Sequence, residues 1–142
     1  MTIETDDGLK EIFETCRTVA VVGCSPKPER AGHYVARYWQ ERGYRVIPVN
    51  PGHQELVGER CYPSLRDIPE KIDIVDCFRR AEEIMPIVED AVAIGAKVIW
   101  MQLGVINEEA AERAEAAGLK VVMDRCPKIE YPRLFFKPLF SE

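Results

Sequence analysis

The sequence predicts an α/β fold: a doubly wound sheet of five parallel strands with helices on both faces. Three observations carry this expectation. Three times a helix-like segment ends in Gly and is followed by one residue, a base and a β-branched apolar run: Gly43-Tyr-Arg-Val-Ile, Gly95-Ala-Lys-Val-Ile and Gly118-Leu-Lys-Val-Val. Each Gly suits the left-handed position that closes a helix. The runs that follow are short and almost continuously apolar, as in strands covered on both faces of a parallel sheet. Strand and helix signals then alternate along the chain, which implies right-handed β-α-β crossovers.

In chain order, a helix is expected over residues 7–16, ahead of a first strand at 18–22. A helix over 32–42 puts Val35, Tyr38, Trp39 and Arg42 on one face, and the second strand follows at 45–49. The third strand is expected at 72–78, and the helix over 81–94 presents Ile84, Ile87, Val88, Ala91 and Ile94. The fourth strand, 97–102, leads to an Ala-rich helix over 108–117, and the fifth strand lies at 120–123. Asn107 suits the N-cap of that Ala-rich helix, and Glu108 and Glu109 suit its first-turn dipole. Residues 53–67 exceed a minimal connection and suggest a turn with one short edge strand. The tail from Tyr131, YPRLFFKPLFSE, is apolar and proline-broken, so it either packs across the domain or joins a homodimer. Pro48 lacks the amide for a ladder bond and prefers a sheet edge. That favours a flavodoxin-like order, with the second strand outermost, over the Rossmann order with it inside; the residues alone leave both open.

A length of 142 residues suits one domain, 1–142, with a core of its own. With 19 Lys+Arg against 24 Asp+Glu the net charge is −5, which argues against a broad nucleic-acid surface. No apolar run approaches the roughly 18–20 residues of a membrane span. The N-terminus, MTIETDDGLKEIF, is acidic where a signal peptide is basic and then apolar, so a cytoplasmic protein is expected. The five cysteines are odd in number, with no C-x-x-C pair and no His at ligand spacing, so no metal site is expected.

In open α/β sheets, ligands bind outside the carboxyl ends of the strands, at the switch point beside the first strand. After the first strand comes Gly23-Cys24-Ser25-Pro26-Lys27-Pro28-Glu29-Arg30, which opens a helix. Gly23 permits a tight turn, Ser25 offers a hydroxyl, the free amides of the helix start favour an anion, and Lys27 and Arg30 add charge. This is a modified phosphate loop, because Ser25 stands where a dinucleotide fingerprint has its second Gly. The second strand ends in Asn50-Pro51-Gly52, without the acid that holds a ribose in NAD enzymes. Phe78-Arg79-Arg80 after the third strand suits adenine stacking and a phosphate. Gln102-Leu103-Gly104 and Asp124-Arg125-Cys126-Pro127 follow the fourth and fifth strands and fit the entrance of a narrow channel. No Ser/His/Asp set and no paired carboxylates stand at these strand ends.

Taken together, TVAVVGCSPKPERAGHYV, RVIPVNP, IDIVDCFRR, VIWMQLGVINEEAAERAEAAGL and VVMDRC resemble the stand-alone CoA-binding protein family. These are small bacterial and archaeal proteins similar to the N-terminal domain of the succinyl-CoA synthetase alpha subunit. The resemblance runs from Leu9 to Arg133. It implies a Rossmann-like domain of strand order 3-2-1-4-5, against the proline argument, with coenzyme A as ligand. By position it implies Gly23, Ser25, Lys27 and Arg30 at the pyrophosphate and adjacent phosphate. Asn50, Pro51, Phe78 and Arg79 would line the adenosine end, and Gln102 and Gly104 would flank the pantetheine arm. Relatives often carry Lys or Arg directly after the Asn-Pro pair, where this chain has Gly52 and His53, so that phosphate contact is not carried over.

The function expected is binding of CoA or acyl-CoA without catalysis of its own. The alternative is a CoA-binding subunit of an acyl-CoA synthetase-type enzyme, since the synthetase relatives use a phosphorylated histidine from a further domain and an ATP-grasp partner. A third reading places Cys126 near the thiol end of the ligand, as a redox sensor that forms a mixed disulfide with CoA. An NAD or nucleotide-binding regulatory domain is the weaker choice, for want of the ribose acid and the second Gly.

Overall fold

Val19 and Val21 face one side of the first strand and Ala20 and Val22 the other, and all four are buried. A run buried on both faces has to lie inside a sheet covered by two helical layers. The computed structural model describes residues 1–136, so the last part of the expected tail, 137–142, lies outside the described residues. In chain order the elements are α1 (Asp6–Thr15), β1 (Thr18–Val22), α2 (Ala31–Glu41), β2 (Arg45–Val49), β3 (Glu55–Leu56), β4 (Glu59–Arg60), β5 (Ile74–Cys77), α3 (Ile84–Ala93), β6 (Val98–Met101), α4 (Glu108–Ala116), β7 (Lys120–Val122) and α5 (Pro127–Phe135). Among the described residues no helix is long and apolar enough to cross a membrane.

The main sheet is parallel and five-stranded, in the order β2-β1-β5-β6-β7. Counted over those five strands this is 2-1-3-4-5, which corrects the expected 3-2-1-4-5. Outside β2, where the expected order puts a full strand, there is a single parallel bridge between Val49 and Tyr62. The Asn50 N–H donates to Tyr62 O at 2.9 Å, and the Tyr62 N–H donates to Pro48 O at 3.1 Å. The amide and carbonyl of a strand residue point the same way, so the missing N–H of Pro48 faces this nearly open edge and costs no bond to β1. The layout stays Rossmann-like, with its outermost strand reduced to one bridge. Within residues 53–67, β3 and β4 form a two-stranded antiparallel hairpin, and the edge strand expected there is reduced to the Tyr62 bridge.

Helices α1, α2 and α5 cover one face and α3 and α4 the other. The expected caps are present: Asn107 Oδ1 accepts from the Ala110 N–H at 2.9 Å, and Gly43, Gly95 and Gly118 all have positive φ. The segment read as a proline-broken tail is partly helical. Pro127 opens α5 at the position where a proline's fixed φ suits a helix, and Pro132 is tolerated inside it. Aromatic packing explains the tolerance, because the Tyr131 ring meets Phe13 edge-on at 5.2 Å and Phe135 meets it at 6.0 Å. The described part of the tail therefore packs across the domain.

One polar group lies inside this core. Asp76, in the middle of β5, is fully buried; its Oδ2 accepts from Trp39 Nε1 at 3.0 Å, and its Oδ1 has no partner among the described residues. Burial raises its carboxyl to about 8, against a smaller lowering by the indole hydrogen bond.

Candidate functional site

The carboxyl ends of β1, β5, β6 and β7 open into one cleft of about 1010 Å³. Its floor is the turn after β1. Gly23 has φ +86°, and a Cβ there would stand 2.5 Å from Phe78 O and 3.3 Å from Arg79 Nε, so glycine is required twice over. Gly32, in the first turn of α2, sits so close that a Cβ would meet Gly23 O at 2.6 Å. These two glycines let the helix start rest directly on the strand end. Between them, the Lys27 N–H donates to Ser25 Oγ at 3.1 Å, and His33 Nδ1 lies 2.8 Å from the Ser25 carbonyl oxygen, to which it donates. His33 therefore shapes the loop.

The first turn of α2 carries no acidic residue and no side-chain cap, whereas α1 opens with Asp6 and Asp7 and α4 with Glu108 and Glu109. A helix start left in this condition favours an anion. Around it stand Lys27, Arg30, Arg79, Arg80 and Lys128, against one carboxylate, Glu83, among the described residues of the lining. Among the described residues Lys27, Arg30 and Arg79 have no acidic partner, while elsewhere Arg45, Arg66, Arg113 and Arg133 are all ion-paired. The cleft is thus locally cationic in an acidic protein.

Of the expected site residues, Gly23, Ser25, Lys27, Arg30, Phe78, Arg79, Gln102 and Cys126 come together in the lining. Phe78 is half-buried, packed on the core on one side and lining the cleft on the other. Gln102 is 6 % exposed, and its Oε1 has no partner among the described residues. Asn50, Pro51 and Gly104 are not in the lining. Asn50 ties neighbouring loops together instead: its Nδ2 donates to Cys24 O at 2.9 Å, and its Oδ1 accepts from the Gly52 N–H at 3.1 Å. The Gly104 N–H donates to Asp124 Oδ1 at 2.7 Å, which pins the loop after β6 to the end of β7. Arg125, expected at the entrance of the channel, is not in the lining and pairs with Glu130 at 3.1 Å.

Sequence reasoning missed several lining residues. Gly32 was legible as a glycine in the first turn of a helix that follows a phosphate-type loop. Lys128 and Ile129 lie on α5, which Pro132 concealed. Tyr34, Leu103 and Ile129 are exposed apolar residues from three different segments, and all three line this cleft. Nothing in their local sequence announces that they converge.

A doubly wound α/β domain with a cationic cleft at its switch point belongs to the class that holds phosphorylated cofactors. Within that class, the family described as CoA binding domain matches residues 17–132, and the chain belongs to it. The chain is 40% identical over 123 residues to the uncharacterised Bacillus subtilis protein YneT, covering 87% of this chain and 91% of that one. A hypothetical protein from Pyrococcus horikoshii shares the fold with a TM-score of 0.90 and 45% identity, over 94% of this chain and 96% of that one. The ADP-forming acetate–CoA ligase I of Archaeoglobus fulgidus is 28% identical over 120 residues, 78% of this chain, but the match spans 18% of the ligase. The chain is thus related to the CoA-binding region of a much longer enzyme.

Proposed function

We propose that the chain holds coenzyme A or an acyl-CoA in the cleft at the ends of β1, β5, β6 and β7. The phosphates lie over the loop 23–32 and the start of α2, beside Lys27, Arg30 and Arg79. Phe78 stacks the adenine, and the pantetheine arm runs toward Gln102 and Cys126. The carrying observation is that, among the described residues, five basic side chains and one carboxylate converge around an uncapped helix start. Such a surface suits a ligand with a pyrophosphate and a further phosphate. At the end of β2, Asn50 stands where NAD enzymes place an acid. The binding needs no catalytic group of the chain's own.

Calorimetry with CoA, dephospho-CoA and NAD tests this. CoA should bind tightest, with dephospho-CoA weaker through loss of one phosphate contact. Absence of CoA binding at high micromolar concentration would sink the reading.

A second reading is favoured by the relation to acetate–CoA ligase, in which this region is one part of a longer machine. Here the chain is the CoA-binding subunit for a separate ATP-grasp protein. A pull-down that recovers no such protein, with no acyl-CoA-forming activity in the mixture, counts against it.

A further inference from the structure

Cys126 lines the cleft, and Cys16, Cys24, Cys61 and Cys77 do not. Burial pushes the thiols of those four up, that of Cys24 to about 12, so they are poor nucleophiles. Cys126, at the N-cap of α5, is 8 % exposed; it packs in the core cluster on one side and lines the cleft on the other. Two hydrogen bonds set its neighbour, one from a side chain and one within the backbone: the Trp100 indole Nε1 donates to Arg125 O at 2.8 Å, and the Arg125 N–H donates to Met101 O at 3.4 Å. These bonds join the end of β6 to the chain just beyond β7, and the residues that follow Met101 and Arg125, Gln102 and Cys126, both line the cleft. Gln102 is more than nine-tenths buried and its Oε1 is unpaired, an arrangement kept only at a cost unless a ligand supplies the partner. The pantetheine arm of CoA carries two amides and ends in a thiol. A ligand that satisfies Gln102 with an amide brings that thiol to the wall where Cys126 sits.

We propose that Cys126 is a site of reversible, ligand-directed thiolation, forming a mixed disulfide with CoA held in the cleft. This rests on the CoA reading above. The co-reactant is a CoA disulfide. The Cys126 thiolate attacks one of its sulfurs, the new Sγ–S bond forms as the old S–S bond breaks, and the departing CoA thiolate takes up the proton that Cys126 released. Excess thiol reverses the step. Binding holds the reacting sulfur near Cys126 at high effective concentration, which a disulfide that does not fit the cleft lacks.

The test uses the reduced full chain with CoA disulfide, followed by intact mass and peptide mapping, and in parallel calorimetry of the same chain with reduced CoA. One CoA per chain is expected, mapped to Cys126, removed by dithiothreitol and absent from Cys126→Ser. Glutathione disulfide at equal concentration should label at least about tenfold more slowly, since it lacks the nucleotide that docks. Mapping to another cysteine, equal labelling of Cys126→Ser, or equal labelling by glutathione disulfide overturns the proposal. Binding of reduced CoA without any adduct overturns the role of Cys126 alone; absence of binding overturns the CoA reading and this proposal with it.

Discussion

Trp39 on α2 and Asp76 on β5 meet in the core, with the indole Nε1 donating to Asp76 Oδ2 at 3.0 Å. This contact ties a helix of one layer to the middle of the sheet beneath the cleft. Asp76 is fully buried and no base among the described residues pairs with it, so burial lifts its carboxyl from 3.8 to about 8, opposed only in part by the indole. The folded chain keeps the proton that the unfolded chain loses at about pH 4. The stability tied to that proton is therefore complete below about pH 4 and is lost as pH rises through about 8.

Asp76→Asn keeps the shape and removes the titration. Denaturant unfolding of both proteins at pH 5 and pH 8 should give a stability advantage of the variant that grows with pH. A constant difference between the two proteins across that range would contradict the assignment. Trp39→Phe, which leaves the carboxyl without its donor, should cost about 1–3 kcal/mol at either pH.

Gly23→Ala addresses the cleft floor. With φ at +86° and Phe78 O only 2.5 Å from where the new Cβ would stand, an alanine has no place to go. The variant should lose about 1–3 kcal/mol of stability. It should also weaken CoA binding by at least about tenfold, the equivalent of 1.4 kcal/mol. A thermal melt and calorimetry read the two effects, and unchanged affinity would show that the loop after β1 does not hold the ligand.

Arg79 crosses Gly23 and has no carboxylate partner among the described residues, so its charge is available to a phosphate. Charge-assisted hydrogen bonds contribute about 1.5–3 kcal/mol. Arg79→Ala should therefore weaken CoA roughly 10- to 100-fold, with Arg79→Lys recovering part of the loss. Arg113→Ala is the control: that side chain pairs with Glu89 at 2.9 Å, away from the cleft lining, and should leave affinity unchanged.

Phe13 is the hub of the aromatic cluster, with ring centroids 5.7 Å from Trp39, 5.5 Å from Trp100 and 5.2 Å from Tyr131. Phe13→Ala should cost about 3–5 kcal/mol in denaturant unfolding. The same change removes the packing that holds α5, so hydrogen exchange in 127–135 should rise more than in α4.

Local signals carried much of this architecture. The apolar runs at 18–22 and 45–49, the glycine-x-base punctuation, the Asn107 cap and the loop from Gly23 to Arg30 were all readable, because period, turn chemistry and capping act over a few neighbouring residues. The chain alone also showed that its acidic average held a cluster of bases at strand ends. Strand order was readable in part: Pro48 pointed to β2 as the outermost strand, which is observed, against the order the resemblance implied, and only the pairing with Tyr62 revealed an edge that is nearly but not wholly open. Helix α5 was hidden by Pro132, whose local penalty is offset by contacts with Phe13, more than a hundred residues earlier. The buried Trp39–Asp76 pair joins positions 37 apart, and Gln102 and Cys126 share one cleft lining only because β6 and β7 lie side by side. Such contacts depend on how separate segments pack together, and no short stretch of sequence contains that information.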